Sequence, residues 1–405
     1  MAENRTQRIE ELVARLCGVP LTAETVFLRP TRRDGLLDKE VCDALLALRT
    51  DAILFSLKSQ DDPKSRAGTK LSSWCGKHAG KAVGQLGGAV RAIKAQPFWC
   101  DHRRRGRVHF AADLLRPRHA LVILETLDAV ALPPELPDHN HGVPVTYISL
   151  NDTLNLIDQV RSFPDLAAYL DARSSLPLAI RRVVGREEVL YTCYLLEEER
   201  FPPVHSLADI DAIVGPRLGE FRSRQAKKAY LDTFAPLVEL VCDALATRRP
   251  DFAAGLDADT LAAFDPDGQR GHYLRLQEEL CDLRLITRRE LGFALFDVRR
   301  TLEQSGDRGA YRAFQASEKP DLVYLLMSTK GIDRPTVLKS TRGMLGAAKA
   351  FYGCRRAMGI VDLDGTNFEI CLIESYVMSE SERAFGQELF GRLQNITITM
   401  RTLPL

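Results

Sequence analysis

Apolar positions along the chain recur with two different periods, and the first clear one is helical. Ile9, Leu12, Val13 and Leu16 lie on one helical stripe, which predicts a helix over residues 6–17. The next stretch, RPTRRDGLLD, is rich in Pro, Arg and Gly and reads as a connection. Two short apolar runs come after it, Val41–Leu48 and Ala52–Leu57, separated by Arg49-Thr50-Asp51. A run, a polar break and a second run predict a buried β-hairpin. Residues 59–70 (SQDDPKSRAGTK) are a loop by composition. Ala82, Val83, Leu86, Val90 and Ile93 then share one stripe of a helix predicted over 77–95. After a basic loop, His119–Glu125 and Val143–Leu150 predict further strands.

The pattern changes near residue 180. From Glu187 to about Arg300 it is mostly helical, with repeated charged faces, and the last hundred residues alternate again. Leu322–Met327 and Met358–Val361 predict strands around a helix from about Arg334 to Tyr352. Asp364-Gly365 reads as a tight turn into a strand over Phe368–Glu374. The expected architecture is α/β in three parts. Residues 1–180 form a domain with a central mixed sheet flanked by helices, 181–300 a helical region, and 301–405 a small α/β region.

Composition narrows the class. Hydrophobic residues make up 45% and charged residues 27% of 405, the balance of a globular protein rather than a disordered chain. No apolar run approaches the roughly 18 residues of a membrane helix, and the polar start MAENRTQRIE has no signal core behind it. A soluble cytoplasmic protein with no membrane partner is the expectation. Nine dispersed cysteines predict reduced thiols that mostly fill cores. Charge is unevenly spread: residues 61–120 hold 13 Lys and Arg against 4 Asp and Glu, in a chain of net charge +1. That block is either a polyanion-binding face or a solvated loop and helix face.

The hairpin carries the candidate chemistry. Asp43 interrupts its apolar first strand, and a carboxylate there is costly unless something pairs with it or binds it. Ser56 and Lys58, two residues apart, share one face of the second strand. A turn of two or four residues would put Asp43 on that face; a turn of three would put it on the other. A carboxylate able to hold Mg²⁺ beside a lysine able to stabilise charge or activate water is the minimum for phosphodiester hydrolysis. Glu40 could add a second carboxylate at the strand entry, and Gln85 flanks the apolar stripe of the following helix. Asp43 and Lys58 as a simple strand-end ion pair is the other reading.

Glu40-Val-Cys-Asp43, an apolar strand, Phe55-Ser56-Leu57-Lys58, then Trp74 and Ala82-Val-Gly-Gln85-Leu86-Gly-Gly-Ala89 occur in that order. Together they resemble the PD-(D/E)XK restriction-endonuclease-like superfamily. The likeness is to a bacterial branch with a Phe-Ser-x-Lys strand and a Gln-Leu-x-x-Ala helix. Thr153–Arg173, with DLAAYLDAR, resembles the segment C-terminal to that helix in the same branch, so the likeness spans roughly residues 6–175. It implies a restriction-endonuclease-like N-terminal domain. Asp43 would be the metal-binding aspartate, Lys58 the catalytic lysine, Gln85 the helix glutamine and Glu40 the glutamate ahead of the strand. Ser56 departs from the superfamily's usual acidic position. Either Glu40 supplies the missing charge or metal binding is impaired, and the Phe-Ser-x-Lys branch shares the feature.

Two further clusters hold metal-ligand residue types. Cys75, His78, Cys100 and His102 lack a zinc-finger spacing and read as buried thiols and loop histidines, and Asp138-His139-Asn140-His141 sits in a Pro-rich loop. Arg103, Arg104, Arg105 and Arg107 are the densest positive charge and are candidates for phosphate contacts; a solvated loop is the alternative. The expected function is hydrolysis of phosphodiester bonds in DNA, RNA remaining open, with Mg²⁺ or Mn²⁺ as cofactor, in a bacterial defence role that the resemblance implies. The competing expectation is a silent nuclease-like fold that binds nucleic acid or serves assembly. Residues 181–405 are left as a possible surface for a protein partner or a second copy.

Overall fold

The computed structural model describes residues 23–60, 67–248, 269–363 and 367–373, with a few single positions outside those ranges. Its described residues divide into two compact units. One runs to Ser223 and includes Cys281–Arg284; the other comprises Arg224–Arg248, Gln269–Leu280 and the residues from Leu285 on.

The first unit is built on a mixed sheet of nine strands. In chain order these are β1 (Val26–Asp34), β2 (Leu37–Glu40), β3 (Ala44–Leu48), β4 (Asp51–Lys58), β5 (Phe98–His102), β6 (Gly106–Phe110), β7 (Arg116–Leu124), β9 (His139–Asn140) and β10 (Val143–Ser149), with β8 (Val130–Ala131) pairing elsewhere. Their spatial order is β6-β5-β1-β3-β4-β7-β10-β9, and β2 pairs with β1. β4, β7 and β10 are parallel. Parallel strands are covered on both faces, which is why they read as continuous apolar runs rather than alternating ones.

Helix α1 (Gly68–Ala95) covers one face. It packs with Leu45 and Ala47 of β3, Ala52 and Leu54 of β4, and Ala120, Val122 and Leu124 of β7. Leu121, Ile123 and Ile148, pointing the other way, are also buried. α2 (Leu150–Val160) and α3 (Phe163–Ser174) pack on β7 and β10. Each starts at a serine whose hydroxyl accepts from a backbone N–H three residues on: Ser149 from Asp152, Ser162 from Asp165. α4 (Leu178–Arg181), β11 (Val183–Val184, paired with β8) and α5 (Glu187–Leu196) complete this stretch.

The second unit contains a four-stranded sheet in the order β12 (Gly309–Gln315), β13 (Leu322–Thr329), β14 (Arg356–Asp362) and β15 (Phe368–Ile373). β13 and β14 are parallel, a pairing that needs a crossover connection, which the intervening helix supplies. The preceding helical stretch is α6 (Leu207–Asp232), α7 (Ala235–Arg248), α8 (Gln269–Cys281) and α9 (Leu285–Ser305); α10 (Arg334–Phe351) connects β13 to β14. α9 contacts β12, β13 and α7. On α9, Gly292 lies against the backbone of Phe234, so that a Cβ there would run into the Phe234 carbonyl. Gly292→Ala is therefore expected to cost about 1–3 kcal/mol through overpacking, despite alanine's better helix propensity. A chemical melt that shows equal or greater stability would contradict this.

The α/β architecture matches the expectation, with a large flanked sheet, then helices and a small C-terminal sheet. Four details differ. RPTRRDGLLD, read as a connection, is most of the β1–β2 hairpin. Its strands are too polar to show an apolar rhythm because β2 is exposed along its length. The helix expected over 77–95 starts at Gly68, since Leu71, Cys75 and Ala79 extend the buried stripe toward the N-terminus. The basic loop after it is the β5–β6 hairpin, and β12 is a further unforeseen strand. Of the helix expected over 6–17, only Leu12 and Ala14 to Leu16 are described, as helical; the rest, like the Asp364-Gly365 turn, lies outside the described residues. Eight described cysteines are free thiols, all but Cys371 buried. Among the described residues no helix is long and apolar enough to cross a membrane.

Candidate active site

The β3–β4 hairpin closes with a two-residue turn, Arg49-Thr50, because Leu48 pairs with Asp51. Arg49 adopts a left-handed φ of 56° there. The same register pairs Ala44 with Phe55, which carries Asp43 opposite Ser56. The face-sharing condition is thus met: Asp43, Ser56 and Lys58 have the same parity as Leu45, Ala47, Ala52 and Leu54, the residues that face α1.

Asp43 ends the ladder. Its backbone N–H still donates to the Phe55 carbonyl at 3.1 Å, but the next N–H, of Leu57, donates to the Asp43 carboxylate at 2.6 Å. The side chain replaces a main-chain acceptor where the chain leaves the sheet, which accounts for a carboxylate only 8% exposed. Gln85 of α1 reaches the same strand ends. Its Oε1 accepts from Lys58 Nζ at 2.5 Å and from Ser56 Oγ at 3.4 Å. The exit of β4 is held as well: Gln60 N–H donates to the Glu125 carboxylate at 2.9 Å, its amide to the Glu125 carbonyl at 2.6 Å, and Glu125 N–H to the Lys58 carbonyl at 2.9 Å.

Asp43, Ser56 and Gln85 line a cavity of about 450 Å³, and Glu40 lines it too. Of the four residues singled out by sequence, Glu40, Asp43 and Gln85 line that cavity, and Lys58 is brought to the same end of the sheet by its hydrogen bond to Gln85. Arg32, Lys39 and Arg91, which the sequence pattern did not mark, share that cavity. The first two sit on strands that read as a connection. Arg91 stands six residues beyond Gln85 on α1, a third of a turn around the helix axis, so helical spacing gave no reason to group the two.

The arginine run is elsewhere. Arg103–Arg105 form the turn of the β5–β6 hairpin. Thr31 of β1 pairs with Trp99 and Leu28 with Asp101, while Leu28 also pairs with Ala44. The start of β5 therefore lies toward the Asp43 end of the sheet and the arginine turn toward the Arg49-Thr50 end. Arg104 pairs with buried Glu24 at 2.7 Å and Arg105 at 3.8 Å, and Arg107 stacks 4.4 Å over the Trp99 ring. Arg103 is exposed.

His102 braces that turn. Its Nε2–H donates to the Glu24 carbonyl at 3.2 Å, and its Nδ1 accepts from the backbone N–H groups of Arg104 and Arg105, both at 3.2 Å. Burial first, then the Arg105 charge, hold its pKa down at about 3. In the unfolded chain it titrates near 6.5. Below that pH the unfolded state takes up a proton that the folded state refuses, so this contribution to stability is full above about 6.5 and is lost as pH falls toward 3. Each unit of difference is worth about 1.4 kcal/mol, so the total is a few kcal/mol. The expected result is a melting temperature that falls across this window in the wild type and falls less steeply in His102→Gln; parallel profiles would refute it.

Of the zinc-type residues, Cys75 and Cys100 are in the α1 core and His78 stacks on Trp74. The Asp138–His141 stretch packs onto α1: Asn140 donates to the Val83 carbonyl at 2.6 Å and His141 meets Arg91 at 2.5 Å. Among the described residues no group of three or more His, Cys, Asp or Glu is arranged to hold a metal ion. No protein-family model, curated protein or solved structure matches the chain.

Proposed function

We propose that this chain is a metal-dependent nuclease that hydrolyses phosphodiester bonds in DNA, with Lys58 as its catalytic lysine. The observation that carries the reading is the convergence of Asp43, Ser56, Lys58 and Gln85 on the α1 side of one hairpin, beside a cavity lined by Asp43, Ser56, Gln85 and Glu40. A random carboxylate–lysine spacing has no reason to meet a helix glutamine at the same strand ends.

The donor set fits Mg²⁺ or Mn²⁺. Mg²⁺ is commonly held by one or two carboxylates together with substrate phosphates and water, and Asp43 and Glu40 are two hard oxygen ligands on one cavity, with the Ser56 hydroxyl beside them. A bound ion would neutralise phosphate charge and lower the pKa of a coordinated water. The chain's own contribution is positional. Gln85 holds the Lys58 ammonium and ties it to Ser56, while Glu125 and Gln60 fix the backbone on which Lys58 stands. Lys58 then faces the reacting phosphate and its attacking water. A bacterial defence role is part of the same proposal and rests on the motif resemblance.

A second reading has its own support. Ser56 replaces an acidic ligand, and the Asp43 carboxylate is engaged by the Leu57 N–H. A silent fold of this shape would bind nucleic acid or serve assembly without cutting it. Incubation of the purified chain with plasmid, single-stranded DNA and RNA, with Mg²⁺ or Mn²⁺, separates the two. Cleavage that disappears in Lys58→Ala and Asp43→Ala supports the nuclease. Cleavage that survives both removes this site, and no cleavage by the wild type with either metal supports the silent fold.

A further inference from the structure

The β1–β2 hairpin stands beside the cavity and is unlike the rest of the unit. Its register pairs Arg32 with Lys39 and Asp34 with Leu37, so these four side chains share one face. Arg33 and Asp38 are paired on the other face. Arg32 and Lys39 line the cavity with Glu40; Arg33 and Asp38 do not. The tip carries Leu36 and Leu37, 92% and 74% exposed, beside Gly35, whose φ of 64° makes the turn.

Two features of this arm call for a ligand. Like charges directly opposed across an antiparallel pair destabilise it, yet Arg32 and Lys39 are so placed. Asp34 lies 3.6 Å from the half-buried Arg32 and 3.5 Å from the exposed Lys39, long ion pairs of which the exposed one contributes about 0–1 kcal/mol. The adjacent leucines at the tip are apolar surface left in solvent. Cations at the cavity and apolar side chains farther out match the order in which a nucleic-acid strand presents phosphates and bases. A paired, stacked duplex hides its base faces, whereas a single strand offers them.

We propose that this arm is the strand-holding element of the site: Arg32 and Lys39, with Arg91 from α1, take phosphates of a single nucleic-acid strand, and Leu37 with Leu36 packs against its bases. The inference rests on the nuclease reading for the site's purpose but is testable apart from it, by binding without divalent metal. The intact chain in EDTA is titrated, over a range of salt, with a fluorescein-labelled single strand and with a strand containing 2-aminopurine. Removing one phosphate neutralisation from a single-strand complex lowers the slope of log affinity against log salt by about 0.7. Arg32→Ala and Lys39→Ala are each expected to lower it by about that amount. Leu37→Ser is expected to weaken binding several-fold with an unchanged slope and to abolish the 2-aminopurine response. Arg33→Ala, on the far face, is expected to change neither. Unchanged slopes in both cation variants overturn the proposal, as does equal sensitivity to Arg33→Ala. Metal-dependent cleavage by the wild type alongside unaffected binding and cutting in all arm variants removes the arm and leaves the site standing. Absence of any strand binding removes the arm, and the cleavage assay then judges the site independently. Binding of duplex alone, with no 2-aminopurine change, also overturns it.

Discussion

Glu187→Ala is expected to destabilise the first unit by about 3–5 kcal/mol, the range for breaking a buried ion pair from one side. Arg173 and Glu187 have side chains only 1% and 2% exposed and meet at 2.6 Å. The Glu187 carboxylate also accepts from the Tyr169 hydroxyl at 2.6 Å, and Arg173 donates to the Tyr147 carbonyl at 3.1 Å. Burial, then the Glu187 charge, push the Tyr169 phenol well above its ordinary pKa, so it stays a donor at any pH the protein meets. Truncating Glu187 leaves a guanidinium in the interior without its counter-charge. Replacing both partners with apolar groups removes the cost with the cause, so Arg173→Met/Glu187→Leu should lose far less than Glu187→Ala. Denaturant melts followed in the tyrosine near-ultraviolet region decide it. A double variant no more stable than the single one would mean that packing, not charge, dominates.

Lys58→Ala should lower kcat by about 10²–10⁴-fold, the range for a positioned proton-transfer group. It should leave folding intact, because Lys58 is half-buried at a strand end. Asp43 needs more care. Removing its carboxylate also strands the Leu57 N–H, at about 1–3 kcal/mol. Asp43→Asn keeps an oxygen acceptor for that N–H while deleting the charge, so it should retain the melting temperature and lose metal-dependent cleavage. Gln85→Ala acts through Lys58, so its signature is a shifted pH–rate profile together with a smaller loss of kcat, partly restored in Gln85→Asn. An Asp43→Asn chain that cuts as the wild type does would exclude this carboxylate from the chemistry, whatever its structural part.

DLAAYLDAR shows how a motif can be legible without its role being so. Its residues are spent on architecture: Asp165 donates its N–H to the capping Ser162 and pairs with Arg284 at 2.6 Å, Asp171 meets Arg118 and His119, and Tyr169 and Arg173 close on Glu187. A string of letters does not say which carboxylate faces a guanidinium and which faces solvent.

The apolar rhythm alone determined the β3–β4 hairpin, the α1 stripe, β7, β10, and the strand–helix–strand order of the C-terminal sheet. Burial imposes those patterns locally, with period 2 or 3.6, wherever a strand or helix must hide one face. Residue types alone also marked Glu40, Asp43, Lys58 and Gln85. What only the tertiary structure decided was everything set by register and by polar strands. The two-residue turn placed Asp43 on the face of Ser56 and Lys58, where one residue more would have put it on the other. Antiparallel pairing through β1 carried the arginine turn toward the opposite end of the sheet and gave the cavity Arg32, Lys39 and Arg91 instead. The arm that bears two of them escaped notice because an exposed hairpin buries too little to leave an apolar pattern in its sequence.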